Sequence, residues 1–254
     1  KAKLILRISG FPKLQNFRFL IWKITLKKIF LITCPTSGTK EYLTSLNIVN
    51  QNKICVLYDP AISPNLISNT KKKFSRKIEN DNFYLAIGRL TKQKNFSFLI
   101  NSFAKFNLNK KNQLIIVGEG EERKKLEKII EEKKLINSVK LVGYQNNVFS
   151  FFEASKCFIL SSLWEDPGFV LLEAGFSNTF VISSDCKNGP KEILDSGNNG
   201  FLFKSNNENS LIEALENFEN LSETKKFEYK LRLKKKIKDF SLLSHYNNLI
   251  GFLD

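Results

Sequence analysis

Residues 156–184 read KCFILSSLWEDPGFVLLEAGFSNTFVISS, and this stretch holds one complete unit of a repeating pattern. KCFILS (156–161) and TFVISS (179–184) are short apolar runs of strand length, and residues 168–177 between them have the length of a helix. Two apolar strands joined by a helix run parallel and belong inside a sheet covered on both faces. The same stretch carries a chemical anomaly. Glu165 and Glu173 stand in an otherwise apolar sequence, and a carboxylate beside Phe169, Val170, Leu171 and Leu172 is costly to bury unless something polar meets it. Pro167 and Gly168 break the periodicity and mark a helix start. Glu165 is therefore expected on a loop, with Glu173 one or two turns into the helix.

Outward from this unit the rhythm continues. Strands are predicted at 83–88 (FYLAIG), 113–118 (QLIIVG), 138–143 (SVKLVG), 156–161, 179–184 and, briefly, 200–203 (GFLF). Helices are predicted near 94–107, 121–135, 147–154, 168–177, 189–195 and 207–219. Strands alternating with helices give an α/β, Rossmann-like domain with a parallel sheet. Residues 1–62 repeat the rhythm in shorter form, with strands LILRI, LITC and KICVLY and helices at FRFLIWKITLKKIF and from SGTKEYL. So few strands read as the last part of a second α/β domain. Pro60, Pro64 and a basic cluster without apolar periodicity mark a linker, placed at 63–80. The main domain then spans 81–222, and 223–254 form a basic, amphipathic helical tail expected to pack back towards the N-terminal block.

The chain carries 40 Lys and Arg against 25 Asp and Glu, a formal charge of +15. Only six of the basic residues are arginine: Arg7, Arg18, Arg76, Arg89, Arg123 and Arg232. Planar recognition of bases and phosphates favours arginine, so the excess reads as a solvated lysine surface and no nucleic-acid partner is expected. Cys34, Cys55, Cys157 and Cys186 show no C-x-x-C spacing, and His245 is the one histidine. The cysteines read as small core residues in a reducing compartment, and no metal site is expected. No apolar run approaches a membrane span. The chain has no methionine and opens at Lys1 straight into LILRI, which reads as a fragment or processed product of a cytoplasmic protein. The helix FRFLIWKITLKKIF combines Phe19, Leu20, Trp22 and Ile24 with Lys23, Lys27 and Lys28. It is either a core helix with a solvated basic face or a peripheral anchor on the inner face of an anionic membrane.

Ligand crevices in such sheets open beyond the strand ends. After the first strand of the main domain comes GRLTKQKN (88–95), where Arg89 and Lys94 can converge on one anion. After the second comes GEGEERKKLE, in which Gly118 and Gly120 permit close backbone approach. Arg123 stands where a dinucleotide fingerprint needs its third glycine, so that motif is excluded. Tyr144 follows the third strand, on a loop where it can pack on a flat ring or cap the core. No Ser, Cys or carboxylate is paired with a base as an activated nucleophile would be.

In this order and on these elements, GRLTKQKN, VGEGEERKKL, VGYQNNV, SSLWEDPGFVLLEAG and NGPKEIL with NNGFLF resemble the donor-binding domain of retaining GT-B glycosyltransferases of family 4. The two glutamates with seven residues between them are that family's signature. The resemblance covers 81 to about 220, and more loosely the N-terminal block, which looks like the end of an acceptor-side domain. It implies two Rossmann-like domains facing across a cleft, the N-terminal one only partly present. It further implies transfer of a sugar, with retention and without a metal, from a UDP- or GDP-sugar to a glycan or lipid-linked glycan of the kind that builds cell-envelope polysaccharide. No cofactor is implied.

By this resemblance Arg89 and Lys94 hold the donor diphosphate and Glu165 meets the transferred sugar. Glu173 takes the ribose hydroxyls. Gly88, Gly118 and Gly120 give the donor room, Tyr144 lies against the base, and Pro167, Gly168 and Phe169 approach the sugar and diphosphate. Glu165-Asp166-Pro167-Gly168 departs from the family's Glu-Gly-Phe-Gly, and the family's glycine-rich first loop and N-domain histidine have no counterpart from Lys1 onward. The alternative is a nucleotide-sugar-binding GT-B protein without transfer activity, or an epimerase-like relative.

Overall fold

Runs of residues that are apolar on both faces make poor surface elements, and the chain buries them side by side. A computed structural model describes residues 3–12, 16–62 and 83–253; the linker expected at 63–80 lies outside the described residues. The backbone divides into two compact units, residues 1–61 with 239–254, and residues 62–238.

In the larger unit, β4 (Phe83–Ile87), β5 (Gln113–Val117), β6 (Val139–Leu141), β7 (Ser155–Leu160), β8 (Val181–Ser184) and β9 (Phe201–Phe203) form one parallel sheet in the order β6-β5-β4-β7-β8-β9. The helices α3 (Phe96–Phe106), α4 (Arg123–Glu132), α5 (Phe149–Ala154), α6 (Phe169–Phe176), α7 (Pro190–Ile193) and α8 (Glu208–Asn220) connect and follow these strands. Every predicted strand and helix of this region is present, within a few residues at each end. The helix ends carry local signals: the Asn207 side chain accepts from Ser210 N–H at 2.9 Å and caps α8. Tyr84, Leu99, Phe103, Leu114, Ile116, Leu126, Leu215 and Phe218 share a core cluster. Burial of each large side chain of this kind contributes roughly 1.5–3 kcal/mol.

The smaller unit holds a parallel sheet β1-β2-β3, from Ile5–Arg7, Leu31–Cys34 and Ile54–Val56. Its helices are α1 (Asn16–Thr25), which tightens into a 3-10 turn over Leu26–Lys28, and α2 (Ser37–Ser45). Thr36 caps α2 by accepting from Thr39 N–H at 3.1 Å. Ile8, Leu26, Ile32, Cys34, Leu43, Ile48 and Ile54 form its core. The helical tail expected over 223–254 comprises α9 (Glu223–Lys236), in the larger unit, and α10 (Leu242–Gly251), in the smaller. His245 Nδ1 donates to the Tyr58 carbonyl at 2.6 Å, and Tyr58 stacks on Phe240 with ring centroids 4.4 Å apart. That hydrogen bond gives the histidine a structural role in the smaller unit. Cys34, Cys157 and Cys186 are buried, as expected of core residues.

Gly175 lets α6 and α9 touch. A Cβ there would stand 2.8 Å from Leu233 Cγ and 3.0 Å from Ile237 Cγ2, and Leu233 is fully buried. Gly175→Ala is therefore expected to destabilise the chain by about 1–3 kcal/mol through overpacking, read as a lower midpoint in thermal unfolding; an unchanged midpoint would show that the two helices separate freely.

Candidate functional site

The strand order reverses between β4 and β7. β4 connects onward to β5 on one side, whereas β7 connects to β8 and β9 on the other, so the loops leaving these neighbouring strands diverge and open a crevice at their C-terminal ends. These loops are residues 88–95 and 161–168, the two segments that the sequence singled out.

The first loop is shaped from beside it. Gly88 N–H donates to Val117 O at 3.0 Å and Leu90 N–H to Glu119 O at 2.8 Å. A Cβ on Gly118, whose φ is +142°, would fall 1.9 Å from Gly88 O, and one on Gly120 would fall 2.5 Å from Leu90 O. Both glycines are thus demanded by the approach of one loop to the other. A Cβ on Gly88 would meet the Cγ, Cδ and Cε methylenes of Lys94 at 3.1–3.2 Å, so the stem of Lys94 lies across Gly88.

The head of Lys94 is held by the second loop. Its Nζ stands 2.6 Å from Glu165 Oε1, and the Ser162 hydroxyl donates to the same oxygen at 2.5 Å. The side chains are 14% and 6% exposed, so this pair is shielded from the screening that weakens surface ion pairs. Around it the backbones are tied. Ser161 Oγ donates to Lys94 O at 2.7 Å, Leu163 N–H to Gln93 O at 2.8 Å, and Gln93 Nε2 to Trp164 O at 2.8 Å. From the β8 side, Ser184 Oγ donates to Ser162 O at 2.7 Å and Glu165 N–H to Lys187 O at 3.1 Å. Asn188 Nδ2 donates to Asp166 Oδ1 at 3.1 Å, and a Cβ on Gly189 would overlap Pro167 O.

Other expected site residues are left open. Arg89 is exposed at the end of β4, and its guanidinium has no hydrogen bond or ion pair among the described residues. Tyr144, after β6, is 71% exposed. Gly168 caps α6 in the left-handed region (φ +95°) without a side-chain hydrogen bond, leaving the first amides of the helix for other partners. Phe169 and Glu173 follow on one face of α6 at i and i+4, while Leu171, Leu172, Ala174 and Gly175 are buried. Glu173 thus escapes its apolar neighbours by facing away from them. Its half-buried carboxylate has no polar partner among the described residues, and desolvation raises its pKa above the usual 4.5.

Arg89, Lys94, Glu165, Gly168 and Glu173 all lie on the two loops and the helix that follow β4 and β7; Gly118, Gly120 and Tyr144 flank them from the next two strands. The sequence reading paired Lys94 with Arg89 and left Glu165 to a sugar, whereas the folded chain pairs Lys94 with Glu165. It also missed Ser162, Gln93 and the clamp from Lys187, Asn188 and Gly189. The Ser-x-x-Glu spacing of SLWE is that of a capping box, but here the Ser162 hydroxyl donates to the Glu165 carboxylate itself.

The family model described as "Glycosyl transferases group 1" matches residues 68–239. An uncharacterized glycosyltransferase of Methanocaldococcus jannaschii is 39% identical over 180 residues, which cover 69% of this chain and 44% of the relative. Over 261 residues the chain is 26% identical to a Campylobacter jejuni protein named N-acetylgalactosamine-N,N'-diacetylbacillosaminyl-diphospho-undecaprenol 4-alpha-N-acetylgalactosaminyltransferase, covering 100% of this chain and 70% of the relative. The chain thus spans under half of the first relative's length and about two thirds of the second's. Among solved structures, Anabaena HepE in complex with UDP and glucose superposes with a TM-score of 0.75 at 18% identity, covering 99% of this chain and 71% of that one. The shared fold is that of GT-B glycosyltransferases, whose matches reach TM-scores of 0.72–0.79.

Removing one partner of a shielded ion pair leaves the other charge uncompensated. Glu165→Ala is expected to cost about 3–5 kcal/mol, with a substantial part recovered in Glu165→Leu combined with Lys94→Met. Urea midpoints followed by circular dichroism check this; equal midpoints for the native chain and Glu165→Ala would mean that the pair adds no stability.

Proposed function

The chain belongs to the glycosyl transferases group 1 family, and from that premise we propose that it carries the donor-binding part of a retaining, metal-independent glycosyltransferase of family 4. The observation that carries the proposal is the state of three groups at one sheet reversal: a Lys94 fixed in direction by Glu165, and an Arg89 and a half-buried Glu173 that have no polar side-chain partner among the described residues.

A nucleoside diphosphate is complementary to this set. Arg89 and Lys94 supply positive charge to the diphosphate, Arg89 as a planar fork and Lys94 as a point charge with three donor hydrogens. Lys94 can therefore contact phosphate while keeping Glu165. The free amides at Gly168 and Phe169 add partial positive charge from the helix start. Glu173 accepts from ribose hydroxyls, which supplies the partner that its burial calls for. Glu165 uses Oε1 for Lys94 and Ser162 and offers Oε2 to a hydroxyl of the transferred sugar. Tyr144 lies against the base. Gly88, Gly118 and Gly120 act by seating the loop that carries Arg89.

In the transfer step an acceptor hydroxyl oxygen bonds to the anomeric carbon as the bond from that carbon to the diphosphate breaks. The electron pair leaves with the nucleoside diphosphate, whose growing charge the two cations stabilise. The acceptor proton passes to a departing phosphate oxygen on the same face, so configuration is retained. UDP in HepE supports a UDP-sugar donor, with GDP as the second candidate base, and the undecaprenol diphosphate in the Campylobacter relative's name supports a lipid-linked glycan acceptor.

Titration calorimetry with UDP and GDP tests the reading. One nucleotide should bind, and Arg89→Ala should weaken it about 10- to 150-fold, the loss of one charge-assisted hydrogen bond at roughly 1.5–3 kcal/mol. No binding by either nucleotide, or binding indifferent to both Arg89→Ala and Glu173→Gln, would refute it. Binding intact in a chain that transfers no sugar from any nucleotide-sugar would favour a donor-binding protein without transfer.

The raised pKa of Glu173 adds a pH dependence with a defined sign. Without ligand, the stability that its protonated form contributes is present below the usual 4.5 and lost as pH rises through the raised value. Nucleotide binding runs the other way, because ribose hydroxyls donate to the ionised form. Affinity should therefore fall as pH drops through that raised value in the native chain, and this component should vanish in Glu173→Gln. A pH profile identical in both would remove Glu173 from the site.

A further inference from the structure

Trp164 and Lys187 are bridge partners on two parallel stretches, one leaving β7 and the other leaving β8. Paired residues on adjoining stretches of this kind point to the same face, and their chain neighbours point to the opposite one. Exposure follows that alternation. Glu165, Cys186 and Asn188 are buried, whereas Lys187 is exposed and Trp164 is 49% exposed. Tryptophan is highly buried on average, and this one is held open by a pinned backbone. Its carbonyl accepts from Gln93 Nε2 at 2.8 Å, and beside it Glu165 N–H donates to Lys187 O at 3.1 Å. The indole and the Lys187 ammonium have no hydrogen bond, ion pair or ring contact among the described residues. Asp166, two positions after Trp164, is exposed, and its Oδ1 accepts from Asn188 Nδ2 at 3.1 Å.

We propose that Trp164 and Lys187 form a subsite for an uncharged sugar ring of the acceptor glycan, with the ring lying on the indole and its hydroxyls accepting from the Lys187 ammonium. A sugar ring has an apolar C–H face and a rim of hydroxyls, which matches a flat apolar surface with a polar group at its edge. The indole makes a low-entropy platform, because it turns about only two side-chain torsions and its backbone is fixed. The Asp166 carboxylate on the same stretch opposes an anionic ligand, which selects an uncharged one. Direction selects the acceptor. Glu165 turns to the opposite face, towards Lys94 and the donor, and Trp164 meets the next ring outward. Both residues stand beyond the C-terminal ends of β7 and β8, where parallel sheets take their ligands, and both lie in the larger unit, within the residues 68–239 matched by the family model. The saccharide class rests on family membership, and its assignment to the acceptor rests on the proposed transfer.

The test reads the fluorescence of Trp164. The chain holds two tryptophans, Trp22 and Trp164, so Trp22→Phe leaves the indole of the subsite as the sole reporter. Neutral disaccharides of hexoses and N-acetylhexosamines are added without nucleotide, and at least one is expected to shift the emission saturably. Lys187→Ala in the same background should raise its Kd about 2- to 12-fold, the loss of one hydrogen bond. Trp164→Leu, followed by saturation-transfer NMR on the sugar ring protons, should weaken binding by about 2- to 12-fold, the loss of one aromatic contact. Thermal midpoints should stay unchanged in both variants, because both side chains are exposed. No response to any disaccharide, or a response indifferent to Lys187→Ala and Trp164→Leu, would overturn the proposal. So would a response confined to glucuronic acid or inorganic phosphate, which would make the ligand anionic. Emission that answers UDP-N-acetylglucosamine and no free disaccharide would assign the indole to the donor sugar instead. Because the disaccharides are added without nucleotide, failure of the donor reading is seen separately, in the absence of UDP and GDP binding.

Discussion

The ion pair between Lys94 and Glu165 joins two loops that leave neighbouring strands and then part in opposite directions. Such loops diverge by topology, and something has to hold them at a fixed separation if the crevice between them is to present a defined set of groups. A shielded pair does this only when its remaining hydrogen-bonding capacity is met. Ser162 meets part of it at Oε1, and the exchange between Ser161, Leu163, Gln93 and Trp164 aligns the backbones on which both charges ride. The glycines belong to the same constraint, because the Lys94 stem passes closely over Gly88 on its way to Glu165, and the loop from Gly88 to Leu90 can sit there only where Gly118 and Gly120 have no side chains.

Against this satisfied carboxylate stands an unsatisfied one. Glu165 is met by Lys94 and Ser162, whereas Glu173 has no polar partner among the described residues and burial raises its pKa. The contrast separates two roles that the sequence leaves superimposed. Glu165 spends one oxygen on holding the two loops together, and Glu173 spends neither of its oxygens on a described partner. The same distinction applies to the cations: Lys94 is held in place, and the exposed Arg89 guanidinium has no partner among the described residues.

The fold was legible because it rests on local signals. Apolar runs of strand length alternate with helix-length runs from Phe83 onward, and each was found where the pattern put it. The loops that carry the candidate residues were legible by element, since the segments after β4 and β7 could be named before their strands were known to be neighbours. Pairing was not legible. Lys94 and Glu165 are 71 residues apart, and no periodicity encodes which cation meets which carboxylate across a sheet reversal. Glu173 looked misplaced among Leu171 and Leu172 because a linear reading does not show that Phe169 and Glu173 share the opposite face. For helix α1 the sequence posed a core helix or a peripheral anchor, without showing that Phe19 and Trp22 are the side chains that pack on the core. The boundary inside the C-terminal tail did leave a signal, since α9 is rich in lysine while α10 holds no Lys, Arg, Asp or Glu, and the two fall in different units.

The central claim is that a nucleoside diphosphate occupies the crevice between the β4 and β7 loops. Hydrogen exchange read by mass spectrometry, with and without saturating UDP or GDP, tests it most directly. The expected result is slowed exchange in residues 88–95 and 161–176, with little change in the smaller unit. Slowed exchange confined to other segments, or none with either nucleotide, would contradict the claim.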